Sequence, residues 1–249
     1  MIKIKSIFNT ILYIILFVGA QAISLIGISY YKFFTDKDFA NKFIDLFANI
    51  NDYEKLTLEY STLLSDFMLI SLIISNLFII IFIIIRRLIK RPNDNMFRPL
   101  TIKFVIKYFF LGLLLNIGIS VLLQILSFIL PSSLSQDLFS DYNSNINLIF
   151  EGNAFLMVLS AGVLAPIAEE LIFRYAIFRN LSNINTTFAL ITQALLFGIL
   201  HGNIIQGSYA FILGIVFGYV TIKQKNNLCS IIMHIAINLS SCLIVIFLT

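Results

Sequence analysis

The chain has 249 residues, 59% hydrophobic and only 12% charged, where an ordinary soluble domain carries about 25% charged residues. No single core of this size hides that much apolar surface. This excludes a soluble enzyme, a disordered regulator and a disulfide-stapled secreted scaffold, and predicts a polytopic membrane protein whose net charge of +4 is a topology signal with no nucleic-acid partner implied.

Stretches free of Asp, Glu, Lys and Arg cover 6–31, 67–85, 108–136, 152–168, 180–222 and 226–249, and one bilayer crossing takes about 20 apolar residues. Backbone groups must be satisfied within each span, so the spans are helices. The alternation of a β-barrel strand is absent. The first helix is predicted near 7–31. Lys3, Lys5 and Ala20-Gln21-Ala22 would also suit a signal peptide, but the apolar run continues to Tyr31, which favours a retained span. In the polar 32–60 segment, Phe39, Phe43, Leu46, Phe47 and Ile50 stand at helical spacing, predicting an amphipathic interfacial helix within Asp38–Tyr60 on the external face.

Helices two and three are predicted near 63–85 and 104–130, joined by a basic segment with Arg86, Arg87, Lys90 and Arg91 that anchors topology and touches anionic lipid. The 131–153 segment has no Lys or Arg and reads as a loop. Helix four follows near 154–178. The 180–222 run is too long for one span, and the polar His201–Gly207 stretch divides it into helices near 186–203 and 207–222, the latter short. Helix seven, near 228–248, carries both cysteines. Cys229 and Cys242 are too far apart along one helix to pair. Placing the N-terminus in the cytoplasm and the C-terminus outside puts 13 of the 17 basic residues on the cytoplasmic side, in line with the positive-inside rule.

Ionisable residues inside a membrane are costly and mark functional candidates. They are Glu169, Glu170 and Arg174 in helix four, His201 in helix five, and His234 with Asn238 in helix seven. No other histidine occurs in the chain. Glu170 and Arg174 are i,i+4 neighbours that can pair along one face. That structural role leaves Glu169, rotated by about 100°, without a partner. Pro166 upstream frees backbone groups and can kink the helix. Phe197 and His201 share a face, as do His234 and Asn238.

Counted from the cytoplasmic helix ends at 1.5 Å per residue, Glu169 lies about 16 Å deep, His201 about 22 Å, His234 about 9 Å and Asn238 about 15 Å. The four can therefore converge in one cavity, expected to open toward the cytoplasm because His234 is shallow from that side. A glutamate beside imidazoles can deprotonate water, and the Asn238 amide can donate to a developing oxyanion. Alternatively, Glu169, His201 and His234 can hold zinc with a fourth position open. Both readings are hydrolytic, and no GxSxG motif is present. A proton- or ion-coupled transporter would also bury Glu and His, but it would show repeated halves, and none is visible.

These residues resemble the motifs of the CPBP family, the CAAX-protease and bacteriocin-processing intramembrane proteases also called the Abi family. Its EExxxR, FxxxH and HxxxN motifs read here as Glu169-Glu170 with Arg174, Phe197 with His201, and His234 with Asn238, in the same order. Ala165-Pro166, Phe173-Arg174 and Gly214 with Gly218-Tyr219 are similar too, so the resemblance covers about residues 150–245. Tyr175 departs from it, since many members have Gly there.

The resemblance implies an all-α membrane bundle, with 1–150 as N-terminal helices and external loop and 151–249 as the catalytic core. It implies an endopeptidase of the cell membrane acting on a membrane-associated peptide or protein tail, with a role in peptide or bacteriocin processing or self-immunity. Glu169 would activate water with His201 assisting, Glu170 would belong to the same set, and His234 and Asn238 would stabilise the oxyanion. The metal-dependent version makes His201 and His234 ligands, with zinc as the cofactor. The alternative is a non-catalytic membrane immunity or scaffold protein that retains the fold.

Overall fold

The computed structural model describes residues 2–48, 53–92, 95–150 and 152–248. Nine helices run through them: α1 Ile2–Thr35, α2 Lys37–Ala48, α3 Tyr53–Lys90, α4 Ile102–Ile129, α5 Ser132–Phe150, α6 Ala154–Leu181, α7 Thr186–Ile199, α8 Ile204–Gln224 and α9 Leu228–Leu248. Six of them, α1, α3, α4, α6, α8 and α9, are long and apolar enough to cross a membrane, and α7 is a shorter apolar helix. The protein is a multi-pass, all-α membrane bundle.

Asparagines start the helices of the C-terminal half. Asn153 accepts from the N–H groups of Phe155 and Leu156, Asn185 from Phe188, Asn203 from Ile205 and Gln206, and Asn226 from Leu228. Each side chain satisfies donors that the first helical turn leaves open. The caps correct two expectations. Gly202, in the left-handed region at φ 71°, and the Asn203 cap confine the turn between α7 and α8 to four residues. The short helix is therefore the fifth apolar one, α7, while α8 reaches 21 residues. His201 accordingly stands in that turn, beyond the end of α7.

Two further expectations change. The 131–153 segment contains α5, begun by Pro131 and Ser132. Its apolar Leu134, Leu138, Tyr142 and Ile149 keep a helical spacing that Ser and Asn dilute. It packs the Tyr142 ring edge-on against Tyr209 of α8 at 6.3 Å. The amphipathic helix expected within Asp38–Tyr60 is α2, which ends at Ala48, and Tyr53 already opens α3. Ile50 lies outside the described residues. The Phe39 ring of α2 is buried and stacks on Phe67 of α3 at 5.1 Å.

Asp36 starts α2, accepting from the Phe39 N–H at 3.1 Å, and lies 3.5 Å from Lys32 Nζ. The Phe39 hydrogen bond first, and Lys32 after it, hold the Asp36 carboxyl below its ordinary value of 3.8. A lowered carboxyl stabilises the folded state fully above the ordinary value and loses that contribution as pH falls through the lowered one. Amide exchange in α2 should therefore quicken below about pH 4 in the wild type, and should already be fast at neutral pH in Asp36→Ala. Exchange that ignores both changes would contradict the cap.

Polar side chains fasten the spans where apolar packing gains nothing over lipid. Asn180 at the end of α6 donates to the Ser6 carbonyl and to Thr10 Oγ1 of α1. Asn116 of α4 donates to Ser240 of α9 at 2.9 Å, and Gln193 of α7 donates to the Gly214 carbonyl of α8 at 2.8 Å. Asn227 donates its N–H to Met96 O at 2.7 Å, tying the segment before α4 to the base of α9.

Gly112 lets α4 touch α9. A Cβ there would strike the Met233 carbonyl and come within 2.8 Å of Ala236 Cβ. Met233 adjoins His234, so this contact fixes the depth of the third motif. Gly112→Leu should cost roughly 1–3 kcal/mol of stability through overpacking, read as a lower melting temperature in detergent. An unchanged melt would show that α4 can withdraw freely.

Candidate active site

The carboxylates lie on a helix that departs from regular winding on both sides of them. Within α6, residues Val158–Leu164 and Leu171–Phe178 are wound as π-helix, and Ala165–Glu170 between them as α-helix. Such wide turns recur at functional sites. Pro166 accounts for the first. Ala165 donates its N–H five residues back, to Ser160 O, and in that register the Ala161 carbonyl would accept from residue 166. Proline has no N–H to give. Asn238 of α9 fills the gap, donating Nδ2 to Ala161 O at 3.0 Å.

Asn238 therefore has a structural duty that the motif reading did not foresee, and its amide keeps a second N–H. Asn238→Ala would leave the Ala161 carbonyl unpaired in apolar surroundings, a cost of about 1–3 kcal/mol. Pro166→Ala in the same chain restores the missing N–H and should recover the melting temperature. A double variant that recovers stability but not cleavage would give Asn238 a chemical role as well. Failure to recover stability would refute the carbonyl argument.

Glu170 and Arg174 form the expected ion pair. Arg174 Nη1 lies 3.0 Å from Glu170 Oε1, and both side chains are fully buried. The guanidinium carbon lies 4.2 Å from the Phe197 ring centroid, 5.1 Å from Phe217 and 5.8 Å from Phe173. The Arg174 nitrogens have no hydrogen-bond partner among the described residues, so the carboxylate and the ring faces hold the cation.

His234 joins both acids to α9. Its Nδ1 is 3.0 Å from Glu170 Oε1, and its Nε2 is 3.7 Å from Glu169 Oε2. A carboxylate engaged by Arg174 only accepts, so Nδ1 carries a proton and donates it. Nε2 then faces Glu169 across a gap wider than a direct hydrogen bond. Glu169 is thus not partnerless, as the sequence suggested. It is also the one member of this cluster with appreciable exposure: its side chain is 18% accessible, against 5% for His234 and none for Glu170 and Arg174.

His201 belongs to the same neighbourhood through Phe197. Its Nδ1 bonds the Phe197 carbonyl at 2.6 Å, and its ring meets the Phe197 ring edge-on at 4.8 Å. A carbonyl accepts, so Nδ1 again carries the proton, leaving Nε2 as the acceptor nitrogen of the neutral ring. Phe197 also meets His234 edge-on at 5.8 Å. Phe217 of α8 lies over His234 with ring centroids 5.0 Å apart.

The structure thus gathers Glu169, Glu170, Arg174 and His234 directly, brings His201 to the cluster through Phe197, and ties Asn238 to the backbone about two turns before the acids. No three His, Cys, Asp or Glu side chains stand in metal-holding geometry among the described residues, and as placed Glu169, His201 and His234 do not form a zinc-binding group. The motif reading missed Phe217 and the role of Phe173. The signal for Phe173 is its place beside Arg174, whereas nothing in α8 marks Phe217, which reaches the cluster only through the packing of α8.

Residues 151–240 match the family model described as type II CAAX prenyl endopeptidase, Rce1-like. This segment, 90 of the 249 residues, is similar to that family. It runs from the start of α6 into α9 and so contains every residue of the cluster. No match to a curated protein or to a solved structure was found.

Proposed function

We propose that the chain is an intramembrane endopeptidase that hydrolyses a peptide bond of a membrane-associated peptide or protein tail, with Glu169 as the group that takes the proton from water. The observation that carries this reading is the division of labour between adjacent acids. Glu170 is sealed and neutralised by Arg174, while Glu169 is partly exposed beside His234 Nε2. A general base must reach its water, and a compensated, buried carboxylate cannot.

In this mechanism Glu169 receives a water proton as the oxygen attacks the scissile carbonyl, and later returns it to the leaving amine. Glu170 orients the His234 ring through Nδ1. The second N–H of Asn238, which its bond to the Ala161 carbonyl leaves over, donates to the oxyanion, with His234 held beside it on α9. His201, through its Nε2, assists in orienting the water. The proposal includes 1–150 as the supporting helices and 151–249 as the catalytic core, a cytoplasmic N-terminus in the cell membrane, and a role in peptide or bacteriocin processing or self-immunity.

The test is incubation of the purified full chain with membrane peptides, including prenylated C-terminal tails, in water enriched in oxygen-18 and with or without chelator. Mass spectrometry should find one label on the new C-terminus of the product. A chelator-sensitive reaction would assign a metal to the site. Cleavage that continues in Glu169→Gln would overturn the mechanism. For orientation, an impermeant thiol reagent should reach Lys225→Cys only from the cytoplasmic side, and labelling from outside alone would reverse the topology.

A further inference from the structure

Where α3 reaches its basic end, α1, α3 and α6 enclose a cavity of about 210 Å³ whose described charged lining is entirely basic: Arg86, Arg87, Lys90 and Arg179. Aromatic rings hold the three arginines in place. The Arg86 guanidinium lies 5.0 Å from the Tyr13 ring, and those of Arg87 and Arg179 lie 5.4 and 5.5 Å from the Tyr175 ring. Tyr175 Oη accepts from Arg87 at 2.9 Å and lies 3.5 Å from Arg179 Nη1. A phenol oxygen that accepts from two guanidinium groups has its own proton left to donate. Stacked arginines with a hydroxyl donor between them suit a phosphate, whose oxygens match the guanidinium fork.

A second cavity, of about 330 Å³, adjoins the first. It shares Tyr13 and Arg86 with it and continues between α1 and α3 along Leu12, Leu16 and Phe82. A basic head compartment therefore leads into an apolar groove that faces the acyl region of a bilayer. Free phosphate would leave that groove unused, and so would the carboxylate of a peptide end.

We propose that the two cavities together bind one anionic phospholipid, with its phosphate among Arg86, Lys90 and Tyr175 and an acyl chain along Leu12, Leu16 and Phe82. Basic pockets between membrane helices take anionic headgroups for the same electrostatic reason. Tyr175 directly follows Arg174 in α6, so the lipid would brace the helix that carries the buried ion pair. The site is independent of the endopeptidase reading.

Native mass spectrometry of the full chain in detergent tests it, with phosphatidylglycerol, phosphatidylcholine of the same acyl chains, and inorganic phosphate as probes. Phosphatidylglycerol should be retained about tenfold more than phosphatidylcholine. Arg86→Gln with Lys90→Gln should erase the preference, and Tyr175→Phe, which keeps the ring and loses only the hydroxyl, should weaken it. If the double charge variant does not fold, Tyr175→Phe decides. Equal retention of the two lipids, or a preference untouched in these variants, would overturn the proposal. Inorganic phosphate that displaces the lipid at equal concentration would assign the cavity to a free anion and overturn the lipid as its occupant.

Discussion

Glu169→Gln is expected to reduce cleavage by about 10²–10⁴-fold while the protein keeps its wild-type melting temperature. The amide retains the shape and one acceptor oxygen of the carboxylate, but it cannot take a proton from water. Little stability should be lost, because Glu169 Oε2 stands 3.7 Å from His234 Nε2 and its side chain is partly exposed, so no buried charge is left uncompensated. Glu170→Gln has the opposite profile. It withdraws the charge that faces both Arg174 and His234 Nδ1 at 3.0 Å, and folded yield should fall before turnover can be measured. Comparing the two variants by size-exclusion yield and by product formation separates the roles. A folded, inactive Glu170→Gln beside an active Glu169→Gln would exchange them, and normal cleavage by both would remove the glutamate mechanism altogether.

Much of this site was legible because membrane insertion makes polar residues informative. In a chain with 12% charged residues, two adjacent acids, an arginine four residues on and two histidines on apolar helices stand out without any structure. The i,i+4 rule gave the Glu170–Arg174 pair, and apolar run lengths placed the seven hydrophobic helices, with α4, α6, α8 and α9 bounded to within three residues at each end. What stayed hidden depends on long-range geometry. That His234 reaches both acids follows from the approach of α9 to α6, which the closeness of α4 to α9 at Gly112 helps to set. The partner of Asn238 follows from a π-turn, whose register cannot be read from composition. The helix α5 was missed because Ser, Asn and Asp suggest a loop, and only its contacts with α3, α4 and α8 compensate for the weak propensity. The short α7 was misjudged because apolar continuity through Ile199 and Leu200 hides a cap that lies four residues later, at Asn203.

Arg174→Met is expected to destabilise the protein by about 3–5 kcal/mol, the cost of leaving one member of a buried ion pair without the other. The substitution removes the cation while leaving Glu170 fully buried and charged, with His234 Nδ1 and the Ser230 hydroxyl left to face it. It also removes the cation from the Phe197 and Phe217 rings, which lie 4.2 and 5.1 Å from the guanidinium carbon. Arg174→Lys should rescue little, because a compact ammonium cannot lie flat against two rings and still reach the carboxylate. The double variant Glu170→Gln with Arg174→Met distinguishes an ion pair from packing. If the uncompensated charge dominates, the double variant should melt above either single variant, since two neutral side chains of similar volume replace the pair. Phe197 then becomes the shared support: Arg174 lies over it, and His201 and His234 meet its edge, so loss of the cation should loosen both histidines together. Thermal melts of the purified variants in detergent provide the measurement. A wild-type melting temperature for Arg174→Met would show that the cation is not needed to bury Glu170, and the assignment of Glu170 as the structural acid would fall with it.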